Sequence, residues 1–290
     1  MLRYRIHIGV HKTATTHLQN QLENLRPDLA ISKIKLVTRA QMRNARIASL
    51  LKNEASANTL NNLLKQTHWN IALGNIFYKQ QEVILSEENL IGNVDGLLSI
   101  PIYANLETRL ARLSKFLKND EFCLFLSIRN FAEILPSAYS EYLRYTNKLD
   151  GFDKIRAHIL ANPPSWLSFI ERIKTTLPTT EVKVWTFESY IQNNEKILSE
   201  ISGIEIKNLA EAPETKETAR LSTSTINQIE KIQPSLPHWK KKYIKKNLIH
   251  TNDYSEKFDP LSKKEKESLS LLYENDLISI RHNYPKMLIE

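Results

Sequence analysis

Cysteine is nearly absent. Cys123 is the only one in 290 residues, so neither an intramolecular disulfide nor a cysteine-built zinc site is available. It lies in the apolar run 122–128, which reads as a buried strand. Glycine is scarce too, with six in the whole chain. That argues against a turn-rich all-β fold, whose loops need residues at positive φ. No run approaches the ~18 apolar residues of a membrane-spanning helix. The opening Met-Leu-Arg-Tyr-Arg-Ile-His-Ile-Gly lacks the apolar core of a secretion signal. These absences predict a protein that starts near Met1 in a reducing, cytoplasmic compartment, at most peripheral to a membrane.

What is present is ordinary for a globular chain: 41% hydrophobic and 25% charged residues. The expected organisation is a single domain over 1–290, with an α/β core over 1–204 and a linker and helical extension over 205–290. The net charge of +8 points to anionic partners, but it does not separate nucleic acid, an anionic membrane and a phosphorylated cofactor.

The pattern alternates strands and helices. Residues 4–9 read as a short strand running into a polar loop. A helix follows from Thr16, with Leu18, Leu22 and Leu25 on one face and Pro27 as its stop. Residues 34–37 and 83–85 are short strand signals, and 40–67 are helix-prone through Leu50, Leu51, Leu60, Leu63 and Leu64. A helix is expected over 103–117, a buried strand over 122–128 and a helix over 131–145. After the Pro163-Pro164 break come a helical face from Trp166, a strand over 182–187 and a helix near Ser189. Residues 205–222 read as a linker and the tail from Thr223 as helical. Such alternation predicts a mostly parallel sheet flanked by helices, with ligands beyond the carboxyl ends of the strands.

One segment carries the chemistry: Gly9-Val10-His11-Lys12-Thr13-Ala14-Thr15-Thr16-His17, between the first strand and the first helix. Backbone N–H groups, a lysine and hydroxyls at a helix N-terminus are what a phosphate requires. The nucleotide loop Gly-x4-Gly-Lys-Ser/Thr is not matched, because here the lysine precedes the hydroxyls. That order disfavours a Walker-type NTPase. A second cluster follows the strand 122–128: Arg129 at its end, and Ser137 two turns into the next helix.

Lysine followed by Thr-small-Thr-Thr resembles the 5′-phosphosulfate loop of the sulfotransferases that use 3′-phosphoadenosine-5′-phosphosulfate (PAPS). Arg129 with Ser137 resembles the 3′-phosphate site of that family. The resemblance implies a P-loop NTPase-like sulfotransferase fold, with PAPS as co-substrate and no metal. It also implies individual roles. Lys12 binds the phosphosulfate and stabilises charge on the bridging oxygen, while Thr13, Ala14, Thr15 and Thr16 cradle the 5′-phosphate. The family has glycine where Ala14 stands, so a right-handed loop there is unstrained and a left-handed one is strained. His17 stands where cytosolic members carry an adenine-contacting tryptophan. Arg129 forks onto the 3′-phosphate, and Ser137 adds a hydroxyl. Phe187-Glu188 resembles a family strand end in Tyr-Glu, with a core aromatic as the alternative. The family's C-terminal Arg-Lys-Gly segment has no counterpart, and Lys263–Lys266 reads as a solvated helix start.

Several other branches of that family use a glutamate base. Glu88 after the strand 83–85 is the first candidate and Glu87 the second, with a helix N-terminal acid pair as the alternative. His11, next to Lys12, contacts either the acceptor or the cofactor's sulfonate, with a structural hydrogen bond as the alternative. Tyr139, Tyr142, Arg144 and Tyr145 line either an acceptor groove or packing against the tail. The acceptor is expected to be a hydroxyl on a polysaccharide or glycolipid, and no nucleic-acid partner is expected. Two rival readings stay open: a nucleotide-dependent kinase with an atypical loop, and a basic nucleic-acid-binding protein built on residues 239–246. A fold of this family without activity is a third.

Overall fold

The computed structural model describes residues 3–44, 51, 82–117, 120–146, 151–207, 209 and 219–290. Among the described residues five parallel strands form one sheet: β1 (Arg3–His7), β2 (Ile34–Val37), β3 (Glu82–Ser86), β4 (Glu121–Ile128) and β5 (Glu181–Thr186). Their spatial order is β2-β3-β1-β4-β5. The chain is therefore α/β, and the sheet is wholly parallel. Between β1 and β2 stand α1 (Thr15–Asn24) and α2 (Arg26–Ile31), and α3 (Arg39–Asn44) follows β2. Then come α4 (Leu106–Leu117), α5 (Phe131–Tyr145), α6 (Phe152–Ala161), α7 (Trp166–Thr176), α8 (Phe187–Gln192) and α9 (Asn194–Ser202). The tail carries α10 (Thr223–Glu230), α11 (His238–His250) and α12 (Lys263–Asn283).

A parallel sheet must be covered on both faces, and alternate strand residues divide accordingly. Tyr4, Ile6, Val83, Leu85, Leu124, Leu126 and Val184 enter a large apolar cluster with α4, α5, α7, α10 and α12. Leu36, Ile84, Cys123, Phe125 and Trp185 point the other way, onto Leu18 and Leu22 of α1 and Ile197, Leu198 and Ile201 of α9. Cys123 is thus a buried strand residue, as its run suggests, and burial pushes its thiol up to about 12. The C-terminal segment rejoins the sheet edge. Val184 donates its N–H to Met287 O, and Ile289 donates to Val184 O, both at 2.8 Å.

Three element expectations are corrected. Pro27 does not end a helix; it opens α2, where a missing N–H and a fixed φ are both acceptable. The helix expected from Tyr103 starts at Leu106, because Tyr103 itself is left-handed at φ 51°. Phe187 starts α8 and does not end β5, since the Thr186 side chain caps the helix by accepting from Ser189 N. Most of the helix-prone stretch 40–67 lies outside the described residues.

Candidate active site

Connections leave β1 and β4 in opposite directions, one toward β2 and the other toward β5. The crevice of such a sheet opens between neighbouring strands of that kind, at their carboxyl ends. A cavity of about 840 Å³ lies there. Of the residues proposed for the nucleotide and the first-choice base, all but one line it. His11, Lys12, Ala14, Thr15, Thr16 and His17 come from the loop and the start of α1, Glu88 from the turn after β3, and Arg129 and Ser137 from the β4–α5 unit. Thr13 is the exception. It is buried, and its hydroxyl donates to Val10 O at 2.6 Å, closing the loop on itself.

The loop owes its shape to three left-handed residues: Gly9 at φ 51°, Lys12 at 67° and Ala14 at 63°. Glycine is required at position 9 on two counts. A Cβ there would lie 2.9 Å from Thr15 Cγ2 and 3.3 Å from Glu88 Cβ, so it would also push α1 away from β3. Ala14 takes the strained option, at a cost of about 1–2 kcal/mol. Ala14→Gly is expected to raise stability by about 1 kcal/mol, some of the strain relief being offset by a more flexible unfolded chain. A higher urea midpoint at unchanged slope is the expected measurement; a lower one would show that the loop needs the methyl group.

His11 is fixed by Tyr103. The tyrosine hydroxyl accepts from His11 N–H at 3.3 Å and lies 2.8 Å from Nδ1. Its one proton then goes to Nδ1, which leaves Nε2–H to donate to Asn89 Oδ1 at 3.3 Å. This bonding assigns the Nε2–H tautomer. Burial pulls the His11 pKa down to about 4, so the ring is neutral at pH 7. Gly92 and Gly96 make room for Tyr103, since a Cβ on either would stand within 2.7 Å of its ring. The structural hydrogen bond, one of two roles considered for His11, is present, and the ring also reaches the cavity.

Lys12 Nζ sits 3.6 Å from Glu141 Oε2 of α5, with both side chains largely buried. Burial lowers the lysine's pKa and Glu141 opposes that shift. Arg129 donates to Lys12 O at 3.0 Å, which ties the end of β4 to the loop. Its guanidinium lies 4.1 Å from the Phe187 ring centroid and 3.6 Å from Glu133. Phe187 therefore faces the cavity and backs a cation, while Glu188 accepts from Tyr273 at 2.8 Å. Arg129 Nε is buried and makes no hydrogen bond among the described residues, so the fork keeps donor capacity for an incoming anion. His17 Nδ1 lies 2.9 Å from the Tyr190 hydroxyl.

The two candidate acids separate cleanly. Glu87, 1% exposed, accepts from Arg43 Nε at 2.9 Å, from Asn89 N at 3.1 Å and from Asn89 Nδ2 at 2.6 Å. It caps the 3-10 turn Glu88–Leu90. Glu88 turns to the cavity. It accepts from Gln19 Nε2 at 3.1 Å and from Arg43 Nη2 at 3.1 Å.

Sequence reasoning missed Arg220, Lys257 and the segment Asp253–Ser255, which also line the cavity. Arg220 lies in a stretch read as linker. It donates to Glu133 O at 2.8 Å, to Glu133 Oε2 at 3.0 Å and to Phe258 O at 3.1 Å. Its local pattern carries no signal, because the contact is made across the tail. The tyrosines of α5 divide: Tyr139 is fully buried and donates to Glu230, Tyr142 packs against the core and Tyr145 is largely exposed, and none of the three lines the cavity. No family model matches the chain, and no curated protein matches it.

Proposed function

We propose that this chain is a sulfotransferase, moving a sulfuryl group from PAPS to a hydroxyl acceptor on a carbohydrate or glycolipid. The observation that carries the reading is the shared cavity. The lysine-bearing loop after β1 and the Arg129–Ser137 pair after β4 face one space of about 840 Å³, a size that suits a nucleotide. A lysine-bearing loop and an arginine–serine pair on one space suit a nucleotide phosphorylated at both ends of its ribose. The fit is also supported by Arg129 Nε, which has no hydrogen-bond partner among the described residues, and by the left-handed loop, whose curvature favours N–H groups turned inward.

In this reading the bound nucleotide supplies a sulfuryl group already activated on a phosphate leaving group. Lys12 stabilises the charge that grows on the bridging oxygen as the S–O bond breaks. Thr15 and Thr16 orient the 5′-phosphate at the start of α1. Arg129 and Ser137 hold the 3′-phosphate, and Arg220 adds a second guanidinium on that side. Glu88 takes the proton from the acceptor hydroxyl as its oxygen attacks sulfur. The neutral His11 gives the cavity wall a polar group with no added charge. Glu141, the resting partner of Lys12, yields that position when an anion enters.

The test is thermal denaturation with 3′-phosphoadenosine-5′-phosphate, ATP and AMP in parallel. At a hundred times its Kd a ligand adds about 2.7 kcal/mol, which shifts Tm measurably. Stabilisation by the 3′-phosphorylated nucleotide above both others is expected, and Arg129→Ala should remove most of it. Equal or greater stabilisation by ATP, or no effect of any of the three, would overturn the reading and favour the kinase.

A further inference from the structure

Helix α11 stands apart from the site in composition. From Lys231 to Asn252 the chain has no acidic residue, and α11 alone holds five lysines. Helical spacing divides them. Ile244 and Leu248 pack on the core, and Lys245 turns inward to donate to Thr146 O. Trp239, Lys242, Tyr243, Lys246 and His250 fall at i, i+3, i+4, i+7 and i+11, one continuous stripe. All five are exposed, Trp239 at 70% and Tyr243 at 63%. Two large aromatics left in solvent on a stripe with no carboxylate are not explained by folding.

We propose that this stripe is a docking surface for an anionic lipid bilayer. Three features favour that occupant. Lysines without acids complement anionic headgroups. Tryptophan and tyrosine suit the headgroup level, where the ring is half desolvated and its N–H or O–H stays wet. The stripe lies on the convex outer side of a helix, which meets a plane along its length, whereas single-stranded nucleic acid is tracked by a groove. Asn252, just past α11, accepts from Ser222 N at 2.9 Å and so pins the turn that carries Asp253, Tyr254 and Ser255 to the cavity rim. The segment that follows α11 in sequence thus borders the cavity.

The experiment is co-sedimentation of the 290-residue chain with phosphatidylcholine vesicles, with and without roughly a third of phosphatidylserine, at low and high salt. It involves no nucleotide, so it fails or succeeds apart from the sulfotransferase reading. Binding only to the anionic vesicles, weakened by salt and by Trp239→Ala, is expected. Lys242→Glu with Lys246→Glu should lower partitioning about tenfold or more. Unchanged circular-dichroism melting checks the fold of each variant, and Lys242→Gln with Lys246→Gln, which adds no repulsion, should give an intermediate loss. No sedimentation with anionic vesicles, or binding that survives these substitutions, would overturn the proposal. So would an oligonucleotide bound more tightly than the vesicles through the same residues.

Discussion

Lys12→Ala should lower turnover about 100- to 1000-fold, with a much smaller loss of nucleotide affinity. The magnitude is that of removing one preorganised group aimed at charge that develops only in the transition state. Lys12 is well suited to act this way. It stands on a strained left-handed residue at φ 67°, its side chain is 12% exposed, and its carbonyl is held by Arg129 at 3.0 Å. A lysine so placed reorganises little when charge appears beside it, and burial strengthens the interaction. In the proposed reading affinity should survive because the backbone of the loop, Thr15, Thr16 and Arg129 would still hold the nucleotide. Alanine at position 12 also leaves Glu141 near Arg144, 3.5 Å away, so no carboxylate is stranded. The measurement is kcat and nucleotide Kd for both chains, using any hydroxyl acceptor that the unmodified chain sulfates. A variant that keeps kcat within about threefold while losing affinity would make Lys12 a ground-state anchor only.

The parts of the fold legible in the sequence are those where one local pattern dominates. Helix α5 is bounded as its periodicity indicates, because Asn130 supplies a cap by accepting from Ala132 N and ten of its residues are buried. Pro136 sits within it without stopping it. Strands β2 and β4 follow from apolar runs that a doubly covered parallel sheet requires. Where tertiary context decides, the pattern misleads. Tyr103 opens a stretch with helical periodicity, yet its hydroxyl is needed at His11 and its ring at Gly92 and Gly96, and its backbone is left-handed. The loop from Gly9 to Thr16 was legible because a strand, a short polar loop and a helix are contiguous in sequence. Arg220 was not, because it reaches the cavity by packing between α5 and the segment around Phe258, and such a contact leaves no mark on neighbouring residues.

The choice between Glu87 and Glu88 also lay beyond sequence, and it yields the second large effect. Glu88→Gln should lower turnover by about 100- to 10,000-fold, the range for loss of a general base, while the thermal shift with 3′-phosphoadenosine-5′-phosphate stays near normal. An amide cannot accept a proton at neutral pH, yet it fills the same space. Its cost in stability is bounded. The amide oxygen can still accept from Gln19 or from Arg43, which now stand at 3.1 Å on separate oxygens. One of the two donors then meets an NH2 group, a loss of about 1–3 kcal/mol that melting will show. Glu87→Gln is the matched control with the opposite profile. Glu87 is 1% exposed and anchors Arg43 and Asn89, so its amide should cost stability and leave turnover within a few fold. The pair of variants therefore separates catalysis from folding along a single turn. Full turnover in Glu88→Gln would remove it as the base and leave acceptor deprotonation to another group of the cavity, with Glu141 next in line because it already faces Lys12.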